Sequence, residues 1–224
     1  MKLLERLPRE SGGDYALRTI KENIINLELP PGSQISENEL AAEMGLSRTP
    51  VREALIELSK VKIVDIQPQK KSTIPLIDYD MVDESRFMRN LLECAVVELD
   101  CEMATSLDLE RLNQNIRLQN LYLENFYSSQ LMDLDNQFHG ILFEIAKKSQ
   151  IYSLMENISI HFDRVRSMAL SSVKNLKIVQ DHKQITAAIA RRDPKSARLL
   201  MEEHLNRYKI DAAAIRAAYP QYFK

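Results

Sequence analysis

Three of the chain's four histidines stand in a pattern that could do chemistry. In "LMDLDNQFHGILFEIA", Asp135 and His139 are four residues apart, so on a helix they share a face beside Leu131, Leu134, Phe138 and Leu142. His182 falls among Ile178, Val179, Ile185 and Ile189, and His204 shares a face with Ala197, Leu200, Met201, Tyr208 and Ile215. Those stripes are apolar, so the imidazoles face a helical interior. A core histidine satisfied by one hydrogen bond is the ordinary explanation of any single case. Three with an aspartate suggest another, because burying that many polar groups without mutual satisfaction is costly. A divalent ion held by neutral imidazoles and a carboxylate would satisfy all four. Spacing by itself leaves both readings open. The fourth histidine, His161, lies on the border of its stripe and is not counted as a ligand.

A second stretch raises a different question. "LSRTPVREAL", residues 46–55, places Arg48 and Arg52 at the start of a helix. Cations there oppose the positive end of the helix dipole, which favours anions. If the anion arrives from outside, the arrangement makes sense. In a helix-turn-helix, the N-terminal residues of the second helix enter the major groove. Arg48 and Arg52 would then meet phosphates or guanine edges, with Ser47, Thr49, Lys70 and Lys71 completing the surface. Arg89 and Glu93 are also spaced i, i+4, which suits either a solvated ion pair or an arginine that reaches a cavity to meet an anionic ligand.

The elements that must position these groups follow from periodicity and caps. Residues 15–29 carry helical spacing with Asp14 placed to cap, and "PPGS" ends that helix. Ser36 with Glu39 three residues on makes a capping-box pattern, and Gly45 suits a C-cap. Ser47 is a second N-cap, and Pro50 is tolerated in a first turn. Leu40, Ala41, Met44, Leu46, Val51, Ala54, Leu55 and Leu58 supply a small core. "KIVDIQPQKKSTIPLI" then reads as a β-hairpin or wing. Beyond residue 78 the spacing predicts helices near 79–105, 107–127, 130–148, 150–171, 175–191 and 195–218, joined by links short enough for antiparallel neighbours. The expected fold is mainly α. A tail (1–14) precedes a winged helix-turn-helix domain (15–77) with a small β-wing, followed by an all-α antiparallel bundle (78–224).

Composition narrows the class further. With 224 residues, 45% hydrophobic and 28% charged, the chain can bury real cores. Its net charge is −2, and the first 75 residues hold 11 of the 30 basic and 11 of the 32 acidic residues, so any nucleic-acid site depends on local placement. No apolar run approaches the ~18 residues of a membrane span, and "MKLLERLPRE" has no signal-peptide core. Cys94 and Cys101 are seven residues apart on one helix, about 10 Å, too far for a disulfide. A reduced, cytoplasmic protein is expected.

"PPGSQISENELAAEMGLSRTPVREALIEL" resembles the DNA-binding domain of the GntR family, and the helical remainder resembles that family's FCD branch, over about residues 15–215. "DxxFH" at 135–139, with His182 and His204 in order, matches the branch's metal-site pattern. The resemblance implies that Asp135, His139, His182 and His204 hold a divalent metal (zinc, nickel or manganese) at the floor of an effector pocket. Arg89 stands where the branch's "RxxLE" pattern has a pocket-facing arginine. It further implies a homodimeric, operator-binding regulator, a repressor by expectation, whose effector is a small carboxylate. In the wing Lys62 and Lys71–Ser72 stand where the family has glycines and an arginine, and Asn38 stands where some members have a DNA-contacting arginine. A direct metal sensor and a helical metallohydrolase are the competing readings.

Overall fold

The computed structural model describes residues 1–67, 71–125, 128–172 and 177–224, the side chains of residues 128, 129, 208, 210 and 211 apart. It forms two compact units, one of residues 1–82 with 219–224 and the other of residues 83–218.

The first unit holds α1 (Gly12–Ile25), β1 (Gln34–Ile35), α2 (Glu37–Met44), α3 (Arg48–Lys60) and β2 (Ser72–Thr73). α1 starts three residues earlier than its apolar spacing predicts. The cap is Ser11, whose hydroxyl accepts from the Asp14 amide, rather than Asp14. α2 is capped by Ser36 and ends on Gly45 at φ 65°, the left-handed conformation glycine adopts without steric cost. The capping box is half made, because the Glu39 carboxylate turns to Lys71 at 3.0 Å. Ser47 occupies the N-cap of α3 without a side-chain cap bond. Leu40, Ala41, Met44, Val51, Ala54, Leu55 and Leu58 are buried as expected, while Leu46 is only half-buried. The wing is tied to the head. Thr73 bridges Asp65 across the wing and also pairs with Gln34, so β2 joins β1 in an antiparallel ribbon. Lys62, the residue at the family's glycine, sits at φ 58°.

The second unit is helical: α4 (Tyr79–Met103, which begins in the first unit), α5 (Ser106–Glu124), α6 (Ser128–Ile145), α7 (Ser149–Ser172), α8 (Ile178–Ala190), α9 (Pro194–Asn206) and α10 (Tyr208–Ala218). The sequence predicts one helix over 195–218; the structure breaks it at Arg207 into α9 and α10. Thr105 and Asp108 make a complete capping box on α5, and Asp193 caps α9 ahead of Pro194. α5 packs on α6 and α8, α6 on α7, α8 on α9, and α10 on α7 and α9. Val97, Leu112, Phe138, Leu142, Ile185 and Met201 are among the side chains that fill the core between them. Both cysteines are buried and free.

The predicted bundle over 78–224 differs from this division at both ends. Ile77 and Phe223 form a parallel bridge, with backbone hydrogen bonds from Ile77 to Tyr222 and from Lys224 to Ile77, and residues 219–224 belong to the first unit.

Candidate metal centre and nucleic-acid interface

Helical spacing puts Asp135 and His139 one turn apart on α6, and packing brings His182 from α8 and His204 from α9 against them. Their four ligand atoms lie within 4.8 Å of one another. Asp135, His139 and His182 are essentially inaccessible to solvent. Nε2 of His204 is 3.4 Å from Nε2 of His139, and Nε2 of His182 is 3.4 Å from Asp135 Oδ1. Two ligands each about 2.1 Å from one ion at a tetrahedral angle lie about 3.4 Å apart, so the donor set fits a single metal.

What surrounds the imidazoles decides how they face the centre. Gln119 donates its amide hydrogens to Asn115 Oδ1 and Leu134 O, which leaves its Oε1, at 2.8 Å, to accept from His182 Nδ1. Glu93 Oε2 lies 2.5 Å from His139 Nδ1, and Asp181 Oδ2 lies 3.3 Å from His204 Nδ1. Each Nδ1 faces an acceptor, so each carries the proton and each Nε2 presents a lone pair. Phe138 stacks on the His182 ring at 3.8 Å and fixes its plane. Asp135 Oδ1 and His182 Nε2 therefore meet as two acceptors and have no hydrogen-bond partner among the described residues. Converging lone pairs without a donor between them call for a cation. Burial pushes the His139 imidazole down to about 4, against the pull of Glu93, and holds His182 well below its usual range. Both are neutral at pH 7, the form that ligates a metal.

Arg89 is buried, not solvated. Its Nε donates to Glu93 Oε1 at 2.6 Å, and its Nη1 lies 3.9 Å from Asp163 Oδ1. Burial opposes its charge, but Glu93 and Asp163 outweigh that and raise its pKa. It lines a cavity of about 70 Å³ whose wall also includes Asp135, Phe162, Arg166, His204 and Arg207. Two of the four candidate ligands thus border the cavity. Arg166 pairs with Asp135, Asp163 and Asn136, and Arg207 grips both oxygens of Asp181 at 2.6 and 2.7 Å. Gln119, Asp181, Arg166 and Arg207 carry no sequence signal that marks them. Glu93 is visible only as the partner of Arg89. His161 is buried beside Arg164, outside the ligand cluster.

On the first unit, Ser47, Arg48, Thr49 and Arg52 are all exposed at the start of α3. Arg48, Arg52 and Lys71 line one groove with Glu37, Asn38 and Gln67. Lys70 lies outside the described residues. Arg48 Nε is held by Glu37 Oε2 at 2.6 Å, as Lys71 is by Glu39. The first unit is a winged helix-turn-helix with Arg48 and Arg52 exposed at the start of its second helix, and among the described residues no helix is long and apolar enough to cross a membrane.

A winged helix-turn-helix joined to a helical domain with a buried polar centre is the architecture of a two-domain DNA-binding regulator. The chain matches the model of the gntR family of bacterial regulatory proteins over residues 15–74 and that of the FCD domain over residues 84–207. It is 29% identical to the HTH-type transcriptional repressor RspR of Escherichia coli K12, over 96% of this chain and 95% of that protein. An HTH-type transcriptional regulator of Streptomyces ambofaciens is 32% identical, over 91% of this chain and 86% of its own. Among solved structures, Escherichia coli McbR/YncC has the same fold, with a TM-score of 0.80 at 21% identity over 94% of this chain and 99% of that one. The chain belongs to the GntR family of transcriptional regulators and carries an FCD domain. It is a regulator, and the metallohydrolase reading falls with that membership.

Proposed function

We propose that the chain is a metal-anchored, metabolite-responsive transcriptional repressor that binds its operator as a homodimer. The observation that carries this reading is the convergence of three imidazole lone pairs and a carboxylate on one point beside a cavity. Asp135, His139, His182 and His204 would hold zinc, nickel or manganese, since imidazole and carboxylate suit all three. An ion held there supplies an electrophilic anchor for a small carboxylate. The chain's own residues do the rest. Arg166, Arg207 and Lys177 bring positive charge to the cavity wall, while Phe162, Leu170 and Ile178 contribute apolar lining. Arg89 acts mainly through Glu93, which aligns His139. Repression is favoured by the name of the Escherichia coli relative.

On the DNA side, Ser47, Arg48, Thr49 and Arg52 would read one half-site, with the wing lysines on phosphates. A second copy supplies the other half-site. Phe87 and Leu91 on α4, and Ile151, Leu154 and Ile158 on α7, leave apolar stripes exposed on the helical unit. Two such stripes buried against a symmetry-related copy would give the isologous interface common in dimers.

The test is His182→Ala with His204→Ala, which removes two ligands and leaves α3 untouched. Metal content of the purified protein is expected to drop from one ion per chain to none. Operator binding in a gel shift is expected to persist but to stop responding to added metal or carboxylic acids. Stoichiometric metal and an intact response in the double variant would defeat the reading. A direct metal sensor differs only in its trigger, and is distinguished if metal alone gives the full response.

A further inference from the structure

Residues 219–224 lie beyond both matched family regions, yet they are well ordered in their bonding. The Ile77 amide donates to Tyr222 O at 2.8 Å, and the Lys224 amide donates to Ile77 O at 3.0 Å. The Phe223 ring stacks on Tyr79 at 5.2 Å with planes 11° apart. Ile77 is fully buried and Phe223 is 7% exposed, so the contact is an apolar seal as well as a backbone ladder. Lys224 Nζ pairs with Asp78 Oδ2 at 2.8 Å, while Oδ1 of the same carboxylate caps the Asp80 amide at 3.0 Å. The tail therefore fastens onto the start of α4. About four turns along, that helix carries Glu93, the partner of His139.

The chain passes between its two compact units at residues 82/83 and again at 218/219. α10, which runs directly into the tail, packs on α7 and α9, and those two helices carry Arg166, His204 and part of the cavity wall. We infer that the C-terminal segment Tyr219–Lys224 is a regulatory clamp, a second covalent route by which the cavity's state reaches the DNA-binding head. Local packing alone would require only that the tail stabilise the head. A clamp requires that it transmit. The inference rests on the metal reading only for the trigger used to test it.

The experiment is hydrogen exchange by mass spectrometry on the full chain and on Phe223→Ala, each with and without manganese or zinc chloride, with metal content measured on the same samples. Without metal, the 74–82 region of Phe223→Ala is expected to exchange about 10-fold faster, as local opening becomes easier. With metal, the wild-type head (residues 15–82) is expected to change its exchange, while in Phe223→Ala the change stops at the helical unit. An unchanged 74–82 rate without metal overturns the clamp whatever the metal site does. A head response surviving in the variant, or absent from metal-loaded wild type, overturns transmission. Absence of bound metal in both chains instead counts against the metal centre, and transmission is then read in reverse: Phe223→Ala without metal is expected to change exchange in α7 and α9, and unchanged rates there overturn the clamp.

Discussion

At the scale of single residues, the orientation of each imidazole is set one layer outside the centre. Gln119 is the most informative, since its own donors are spent on Asn115 and Leu134 and its oxygen is committed to His182. Such outer partners typically contribute about 10- to 100-fold in metal affinity. Gln119→Leu is therefore expected to weaken zinc binding by about that factor in a calorimetric titration, without loss of fold by circular dichroism. Wild-type affinity in Gln119→Leu would show that His182 is oriented by packing on Phe138 instead. Asp100 makes a separate point. It is fully buried, neither carboxylate oxygen has a hydrogen-bond partner among the described residues, and burial raises its pKa from 3.8 to about 8. The folded chain keeps a proton that the unfolded chain loses near 3.8, so this group's contribution declines as pH rises from about 4 to about 8. His139 has the opposite sign: its contribution is present above 6.5 and is lost as pH falls toward about 4. Asp100→Asn is expected to flatten the decline of urea stability between pH 4 and 8 and to gain most at pH 8. A curve parallel to wild type would refute this.

At the scale of elements, α3 is restrained by its neighbour. Glu37 and Glu39 in the first turn of α2 stabilise that helix's dipole, and they also hold Arg48 and Lys71. The pairs are exposed and individually weak, so operator phosphates can displace them. Arg48→Ala is expected to lose about 1–3 kcal/mol of specific binding, as for a base-reading arginine. Glu37→Gln is expected to tighten binding to non-operator DNA while leaving operator binding almost unchanged, so the specificity ratio falls. Gel shifts at two salt concentrations measure both. Equal loss on operator and random DNA for Arg48→Ala would reduce it to a phosphate contact. The wing offers a second element-scale prediction. A non-glycine residue in the left-handed region costs about 1 kcal/mol, and Lys62 sits there at φ 58°. Lys62→Gly is expected to raise the thermal midpoint of the head by a few degrees; a lowered midpoint would mean the lysine side chain contributes more than its backbone costs.

At the scale of the whole molecule, regulation needs two states with different affinity for DNA, and a ligand shifts them only by its differential affinity. A coupling of about 1–3 kcal/mol would change operator affinity roughly 5- to 150-fold. Two linked heads also gain by effective concentration, so assembly and affinity should fall together. Leu91→Asp with Leu154→Asp places charge on both exposed apolar stripes. This variant is expected to be monomeric by light scattering at micromolar concentration, to keep its metal, and to lose roughly 100-fold in operator affinity. A dimeric variant with full affinity would move the interface elsewhere.

The sequence alone determined those features whose physics is local. Ser36 and Gly45 bound α2 because capping acts within a few residues, and Ser47 takes the N-cap position ahead of α3. The i, i+4 spacing of Asp135 and His139 forced them onto one face, and the apolar stripes around His182 and His204 pointed those rings inward. The break at Arg207 leaves no mark in the sequence because the apolar spacing on either side stays in phase. Tertiary structure alone decided which groups stand behind the imidazoles. Gln119 meets His182 across 63 residues and Asp181 meets His204 across 23, distances at which no periodicity operates. The spacing of Arg89 and Glu93 suits a solvated pair as well as a cavity-facing arginine, and only the fold buries both and brings Glu93 to His139. The tail was equally illegible. Nothing near Phe223 names Ile77 or Tyr79 as its partner, because a bridge between residues about 146 apart is chosen by the packing of the folded chain.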